Sequence, residues 1–162
     1  PIHEGTEGIH GLDLMGRKLS QRGGKGYRLF LAAARASIAE AGTSKQCAGM
    51  AAALNDAVGI LDQVSSDLLQ QVAADVDLGL ANATAYLDLF GRVVVGWIWL
   101  RQALVAERAL EAGAEGSEAD FYQGKLHAAR YFMDWELASL ASQARLLSTG
   151  NRLTYDMQDA WF

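Results

Sequence analysis

The sequence predicts an all-α protein: an antiparallel up-down four-helix bundle preceded by one extra N-terminal helix. Three observations carry this. Among 162 residues the single proline is Pro1, and proline costs about 3 kcal/mol inside a helix, so the remaining chain can form long uninterrupted helices. Apolar residues make up 51% of the chain and recur at steps of three and four, the spacing that lines one helical face. No segment alternates apolar and polar positions with β-branched residues, as a half-buried strand would. The length suits one ordinary domain with a real core. An N-terminus at Pro1 suggests a processed or excised piece.

The elements follow from glycines and polar clusters. Ile9, Leu12, Met15 and Leu19 predict a first helix from Gly8 to about Gln21, with Thr6 as the expected N-cap. Arg22-Gly23-Gly24-Lys25-Gly26 then breaks the pattern. A second helix is expected from about Tyr27 to Ala41, ended by Gly42, with Thr43 or Ser44 capping the next. The third helix is the clearest, because Met50, Leu54, Val58, Leu61, Val64, Leu68, Val72 and Val76 form one stripe. The fourth, about Leu80 to Ala112, is apolar almost all round. Leu87, Phe90, Val94 and Trp97 make one stripe and Tyr86, Leu89, Val93 and Leu100 a second. Such a helix packs against more than one neighbour. The fifth should start at a Ser117 cap, with Asp120 at the capping-box position, bury Tyr122, Leu126, Ala129, Met133, Leu137, Leu140, Ala144 and Leu147, and end at Gly150. The four helices from Tyr27 to Ser148, with short connections, make the bundle.

Charge and cysteine narrow the function classes. Fourteen Lys+Arg against nineteen Asp+Glu give a net charge of −5, which argues against a nucleic-acid partner. Cys47 is the only cysteine and reads as a buried inert thiol. A reduced, cytoplasmic location is expected, with no signal peptide. The run Val93 to Leu100 is too short for a membrane span, lies between Arg92 and Arg101, and reads as core.

Most catalytic patterns are absent. His3, His10 and His127 have no metal-ligand spacing, so no metal is expected. Gly23-Gly24-Lys25-Gly26 lacks the spacing of a phosphate loop and reads as a linker. Tyr86, Phe90, Trp97, Trp99, Tyr131, Phe132 and Trp135 could line a cofactor pocket, but at helical spacing they read as core. The N-terminus stands apart. In Glu4-Gly5-Thr6-Glu7-Gly8-Ile9 a carboxylate precedes a helix whose first N–H groups can face an anion or a carbonyl oxygen. The plain alternative is a capped helix start with a solvated acid.

Residues 2 to 18, Ile-His-Glu-Gly-Thr-Glu-Gly-Ile-His-Gly-Leu-Asp-Leu-Met-Gly-Arg-Lys, resemble the C-terminal signature of acyl-CoA dehydrogenases. The rest resembles the helical extension found in a long-chain-type and methylmercaptopropionyl-CoA dehydrogenase-like branch of that family. Ala85 to Gly91, Gly96-Trp97 and Arg130-Tyr131-Phe132 carry this second likeness. The resemblance implies two parts: residues 1–22 as the end of a catalytic α-domain and residues 27–162 as the extension. It implies that Glu4 is the base removing the α-proton of an acyl-CoA, with FAD accepting the hydride and an electron-transfer flavoprotein taking the electrons. Gly5 would lie against the acyl-CoA, Arg17 would contact the CoA, and Thr6, Glu7 and Gly8 would lie beside the FAD. His3, Glu7 and His10 depart from the usual Tyr, Asn and Gln, and the last two weaken the FAD contacts. The fragment alone is expected neither to bind FAD nor to catalyse.

Residues 27–162 carry no catalytic constellation. The bundle is expected to stabilise the core or a homo-oligomer, using the doubly apolar fourth helix and the tail ending in Ala160-Trp161-Phe162. Alternatives are a substrate-entrance lid, a partner-binding bundle, or an unrelated cytosolic helical binding protein.

Overall fold

A computed structural model describes residues 5–161. Among them there is no strand, and the chain is an all-α helical bundle. The elements are α1 (Thr6–Asp13), a π-helical turn (Leu14–Lys18), α2 (Gln21–Ala41), α3 (Ala48–Ala74), α4 (Val76–Leu80), α5 (Ala83–Glu111), α6 (Gly116–Tyr131), a second π turn (Phe132–Glu136), a 3-10 turn (Leu137–Ser139), α7 (Leu140–Ser148) and a final 3-10 turn (Asp159–Trp161). Two compact units emerge: residues 5–29, 60–90 and 141–161, and residues 30–59 and 91–140.

Several boundaries differ from the expected ones. α1 begins at Thr6, so Thr6 lies inside the first turn and Gly5 is the N-cap, with no side chain capping it. Ile9 and Leu12 are exposed, whereas Met15 and Leu19 are buried, so the anticipated stripe is covered at one end only. Residues Arg22, Gly23 and Gly24 take left-handed φ of 52°, 64° and 76°, which breaks the helix at the expected place. Val76 does not extend the stripe of α3. Asp75 leaves the helix with φ −152°, and its side chain accepts from the Leu78 N–H at 3.1 Å, starting the separate α4. Leu80 therefore belongs to α4, and α5 starts at Ala83. Ser117 does not cap α6, because Glu115 is the N-cap and no side chain bonds the first turn. Tyr131 and Trp135 are exposed rather than core, beside a π turn that interrupts the expected regular helix. Their rings stack at 5.7 Å.

In the first unit, buried polar groups hold the helices in register. Ser65 Oγ donates to the Leu61 carbonyl at 2.7 Å. A hydroxyl has one proton, so the 2.7 Å contact with Tyr86 Oη must be a donation from the tyrosine. Burial pushes the Tyr86 phenol up to about 12, which keeps that donor protonated. Tyr27 Oη donates to Asp62 at 3.1 Å, joining α2 to α3. Gln71 Nε2 donates to the Leu147 and Ser148 carbonyls at 3.0 and 3.2 Å, at the end of α7 where no further helical turn supplies donors. Gln143 Nε2 donates to the Ala85 carbonyl at 2.9 Å, tying α7 to α5.

In the second unit the organising group is Glu107, only 5% exposed. It accepts from Ser44 Oγ and, at 3.0 Å, from the Gln46 N–H. Ser44 Oγ in turn accepts from the Cys47 N–H at 2.7 Å, so Ser44 is the residue that caps the approach to α3. Burial alone would raise the Glu107 pKa. The donors Ser44, Gln46, Cys47 and Lys45 outweigh it and hold the carboxyl below its ordinary value. Trp97 Nε1 donates to Ser37 Oγ at 3.0 Å, and Arg108 pairs with Glu40. Cys47 is buried, and burial pushes its thiol pKa up, as an inert thiol requires.

α5 is long and apolar enough, by length and composition, to cross a membrane. Its contacts are those of a bundle core instead: Tyr86, Leu89, Val93 and Leu100 are fully buried, and Glu107 is nearly so. An ionised group there needs donors, and the turn between α2 and α3 supplies them.

Two predictions follow from these polar contacts. Ser65→Ala leaves a buried tyrosine hydroxyl without its acceptor and destabilises by about 1–3 kcal/mol in urea unfolding. Adding Tyr86→Phe recovers part of that loss, since removing both partners is nearly neutral. Because the folded pKa of Glu107 is lowered, its stabilisation is present above the unfolded value of about 4.3 and lost as pH falls through the lower folded value. Thermal unfolding against pH should therefore separate wild type from Glu107→Gln at neutral pH and bring the two curves together as pH falls through the carboxyl's lowered folded value. Parallel curves would contradict this role.

Candidate functional site

The residues singled out at the N-terminus lie mostly on one short helix. Glu4, the expected base, falls outside the described residues. Gly5 adopts φ 69°, ψ 13°, the left-handed region open to glycine, and turns the chain into α1. Thr6, Glu7 and Gly8 form its first turn. At both Gly5 and Gly8 nothing lies within 4 Å of where a Cβ would stand. The backbone of this turn is thus approachable, and its leading N–H groups have no partners within the helix. Glu7 is an exposed carboxylate.

Arg17 lies in the π turn after α1. Its Nε donates to Asp13 Oδ1 at 2.6 Å. That hydrogen bond holds the Asp13 carboxyl below its ordinary pKa and raises that of Arg17. Both groups are well exposed, so the pair orients the guanidinium more than it stabilises the fold.

Position is set by packing rather than by polar contacts. Gly11 is buried against the start of α5, so closely that a Cβ would fall 2.7 Å from the Ala83 carbonyl oxygen and 2.8 Å from its carbon. Gly16 stands over the Leu80 side chain, with a Cβ at 3.6 Å. Met15 and Leu19 are buried, each worth about 1.5–3 kcal/mol. α1 is therefore fastened along one side while Ile9 and Leu12 face outward. The sequence reading had passed over Gly11 as a contact residue.

It had also passed over Glu107 and Ser65. A signal existed for the first: Glu107 lies seven residues after Leu100 and continues the buried stripe of Tyr86, Leu89, Val93 and Leu100. An acid on a buried stripe implies donors around it. Ser65 likewise lies four residues after Leu61 on the buried face of α3. Neither residue lies in an open cleft. Among the described residues no group of three or more His, Cys, Asp or Glu side chains could hold a metal.

The fold and the site define a class: a helical bundle carrying, at its N-terminal end, a short docked helix with an open first turn. The sequence profile described as acetyl-CoA dehydrogenase C-terminal like matches residues 30–158, and the chain belongs to that family. It is 31% identical over 94% of its length to a 3-methylmercaptopropionyl-CoA dehydrogenase of Ruegeria pomeroyi, covering 26% of that protein. It is 31% identical over 99% of its length to a broad-specificity linear acyl-CoA dehydrogenase of Mycobacterium tuberculosis, covering 27% of it. A butyryl-CoA dehydrogenase of Syntrophomonas wolfei is 25% identical. The chain spans about a quarter of the length of these curated relatives.

The Gly11 contact yields a paired prediction. An alanine in a helix is worth up to about 1 kcal/mol over glycine, and Gly8→Ala, with open space around it, should gain or leave stability unchanged. At Gly11 the clash is with backbone, which cannot turn aside, and overpacking costs about 1–3 kcal/mol. Gly11→Ala should therefore lower the thermal midpoint and Gly8→Ala should not.

Proposed function

We propose that this chain is the C-terminal part of a flavin-dependent acyl-CoA dehydrogenase that forms an α,β-double bond in an acyl-CoA thioester. The observation that carries this is the Glu4-Gly5-Thr6 segment running directly into a helix docked on a bundle of the matched family. The named activities of the relatives point the same way.

In this reading Glu4 takes the α-proton of the substrate. A carboxylate suits that step if it is held close and partly desolvated, with a raised pKa. The Glu4 N–H donates to the thioester carbonyl and stabilises enolate-like charge. The electron pair of the broken α-C–H bond becomes the new double bond, and the β-hydrogen leaves with its own pair. FAD supplies the hydride acceptor when bound.

The residues present fit such a group in part. The open space at Gly5 and Gly8 suits close approach of an acyl chain or a planar ring. The exposed carboxylate of Glu7 does not suit a phosphate. Flavin contact in this segment therefore rests on the backbone of Thr6, Glu7 and Gly8 rather than on the Glu7 side chain. Arg17, oriented by Asp13, would meet the anionic CoA. The left-handed break at Arg22 to Gly24 and a family match beginning at residue 30 support taking residues 1–22 as the end of the catalytic domain and 27–162 as the extension. An electron-transfer flavoprotein as electron acceptor, a homo-oligomer and a cytoplasmic location complete the reading.

The test uses the longer polypeptide that carries this chain. Glu4→Gln should lower acyl-CoA-dependent dye reduction at least about 100-fold while the flavin absorbance is kept. Retention of most activity would contradict the assignment.

A further inference from the structure

The second unit carries a cleft of about 470 Å³ between α5 and α6. The connection at residues 112–115 returns the chain, so the two helices run side by side and antiparallel. Counted from that connection, Val105 of α5 and Phe121 of α6 come first along the cleft. Arg101 and Lys125 stand on the same two helices about one helical turn further out. One end of the cleft is therefore apolar and the next turn basic. Val105 and Phe121 are each 58% exposed, so the apolar end is bare.

The two cations are held without being neutralised. Among the described residues no acid lines the cleft, although the chain as a whole carries a net charge of −5. Neither Arg101 nor Lys125 has a carboxylate partner among the described residues. Rings hold them instead. The Arg101 guanidinium lies 5.4 Å from the Trp97 centroid, and the Lys125 ammonium 5.3 Å from that of Phe121 and 5.5 Å from that of Trp99. Cation–π contacts of this kind fix the direction of a long side chain and leave its charge unbalanced.

Two unbalanced cations one turn from bare apolar side chains match a molecule with one anionic head and an apolar tail. The open mouth suits such a molecule, because the tail leaves water while the head stays hydrated. A carboxylate fits the head position, since its two oxygens match the forked edge of a guanidinium. We propose that the α5–α6 cleft binds a small alkyl carboxylate, with the head between Arg101 and Lys125 and the chain along Val105 and Phe121. The site is separate from the Glu4 segment and goes beyond the acyl-CoA reading without resting on it.

Calorimetric titration of the 162-residue chain with octanoate, kept below its micelle range, tests the site. Fluorescence of Trp97 and Trp99 gives a second readout, because both rings lie against the cations. One saturable site is expected. A buried methylene is worth about fourfold in affinity, so octanoate should bind about tenfold more tightly than hexanoate. Octanol, which has the tail without the charge, should bind about tenfold more weakly than octanoate or worse. Arg101→Gln and Lys125→Gln should each weaken octanoate about fivefold with helical circular dichroism unchanged. Val105→Ser should flatten the gain with chain length. No saturable octanoate binding up to about 10 mM, an affinity indifferent to both cation variants, or octanol binding as tightly as octanoate would overturn the proposal. So would a chain that sediments with vesicles of anionic phosphatidylglycerol but binds no octanoate in solution, since the patch would then be a membrane surface. None of these results bears on whether Glu4→Gln abolishes turnover, so the two readings can fail separately.

Discussion

The site described here depends on one backbone contact. α1 meets the start of α5 at Gly11, where the Ala83 carbonyl fills the space a side chain would need. The described residues singled out at the N-terminus, Gly5 to Gly8 and Arg17, are carried by that helix, its N-cap or the turn after it. A single closely packed glycine therefore sets where the first turn of α1, Arg17 and its Asp13 partner stand relative to α5. Met15 and Leu19 supply the apolar area that holds the contact shut. The exposed Ile9 and Leu12 mark the side of α1 that the chain itself leaves uncovered.

The bundle solves a different problem, which is how to specify register in a core rich in alanine and leucine. Apolar contact is non-directional. Polar groups on buried stripes are directional, and two of them do this work. Tyr86 donates to Ser65 in the first unit, and Glu107 gathers the N–H and hydroxyl donors around Ser44 in the second. Each demands one pairing of helices, because any other leaves a buried polar atom unsatisfied. No buried side-chain nitrogen or oxygen among the described residues lacks a partner.

The fold was legible in the sequence where one periodicity ran unbroken. The stripe of Met50, Leu54, Val58, Leu61, Val64 and Leu68 was readable as a buried face because these residues recur at helical spacing, and all six are buried. The reading failed at the ends. Val76 fits the period, but Asp75 can bond the Leu78 N–H, and a short polar side chain outcompetes one more helical turn. Ser117 had the right composition for a cap, yet the chain enters α6 at Glu115, and Gly116 takes a positive φ of 56°. The π turn at Phe132 to Glu136 left no mark on the three-and-four spacing, and so Tyr131 and Trp135 were misplaced. At the candidate site, the motif was visible as residue order in Glu4 to Gly8. The docking was not, because Gly11 looks like any other glycine until a second backbone lies against it.

Amide hydrogen exchange on the wild-type chain tests the central contact most directly. Residues 9–19 should exchange as one protected unit with the start of α5, slower than the first turn at residues 6–8, since they can open only when α1 leaves Ala83. Exchange of residues 9–19 at the rate of an unstructured peptide, with α5 still protected, would mean that α1 is not fastened there and that the site has no fixed position.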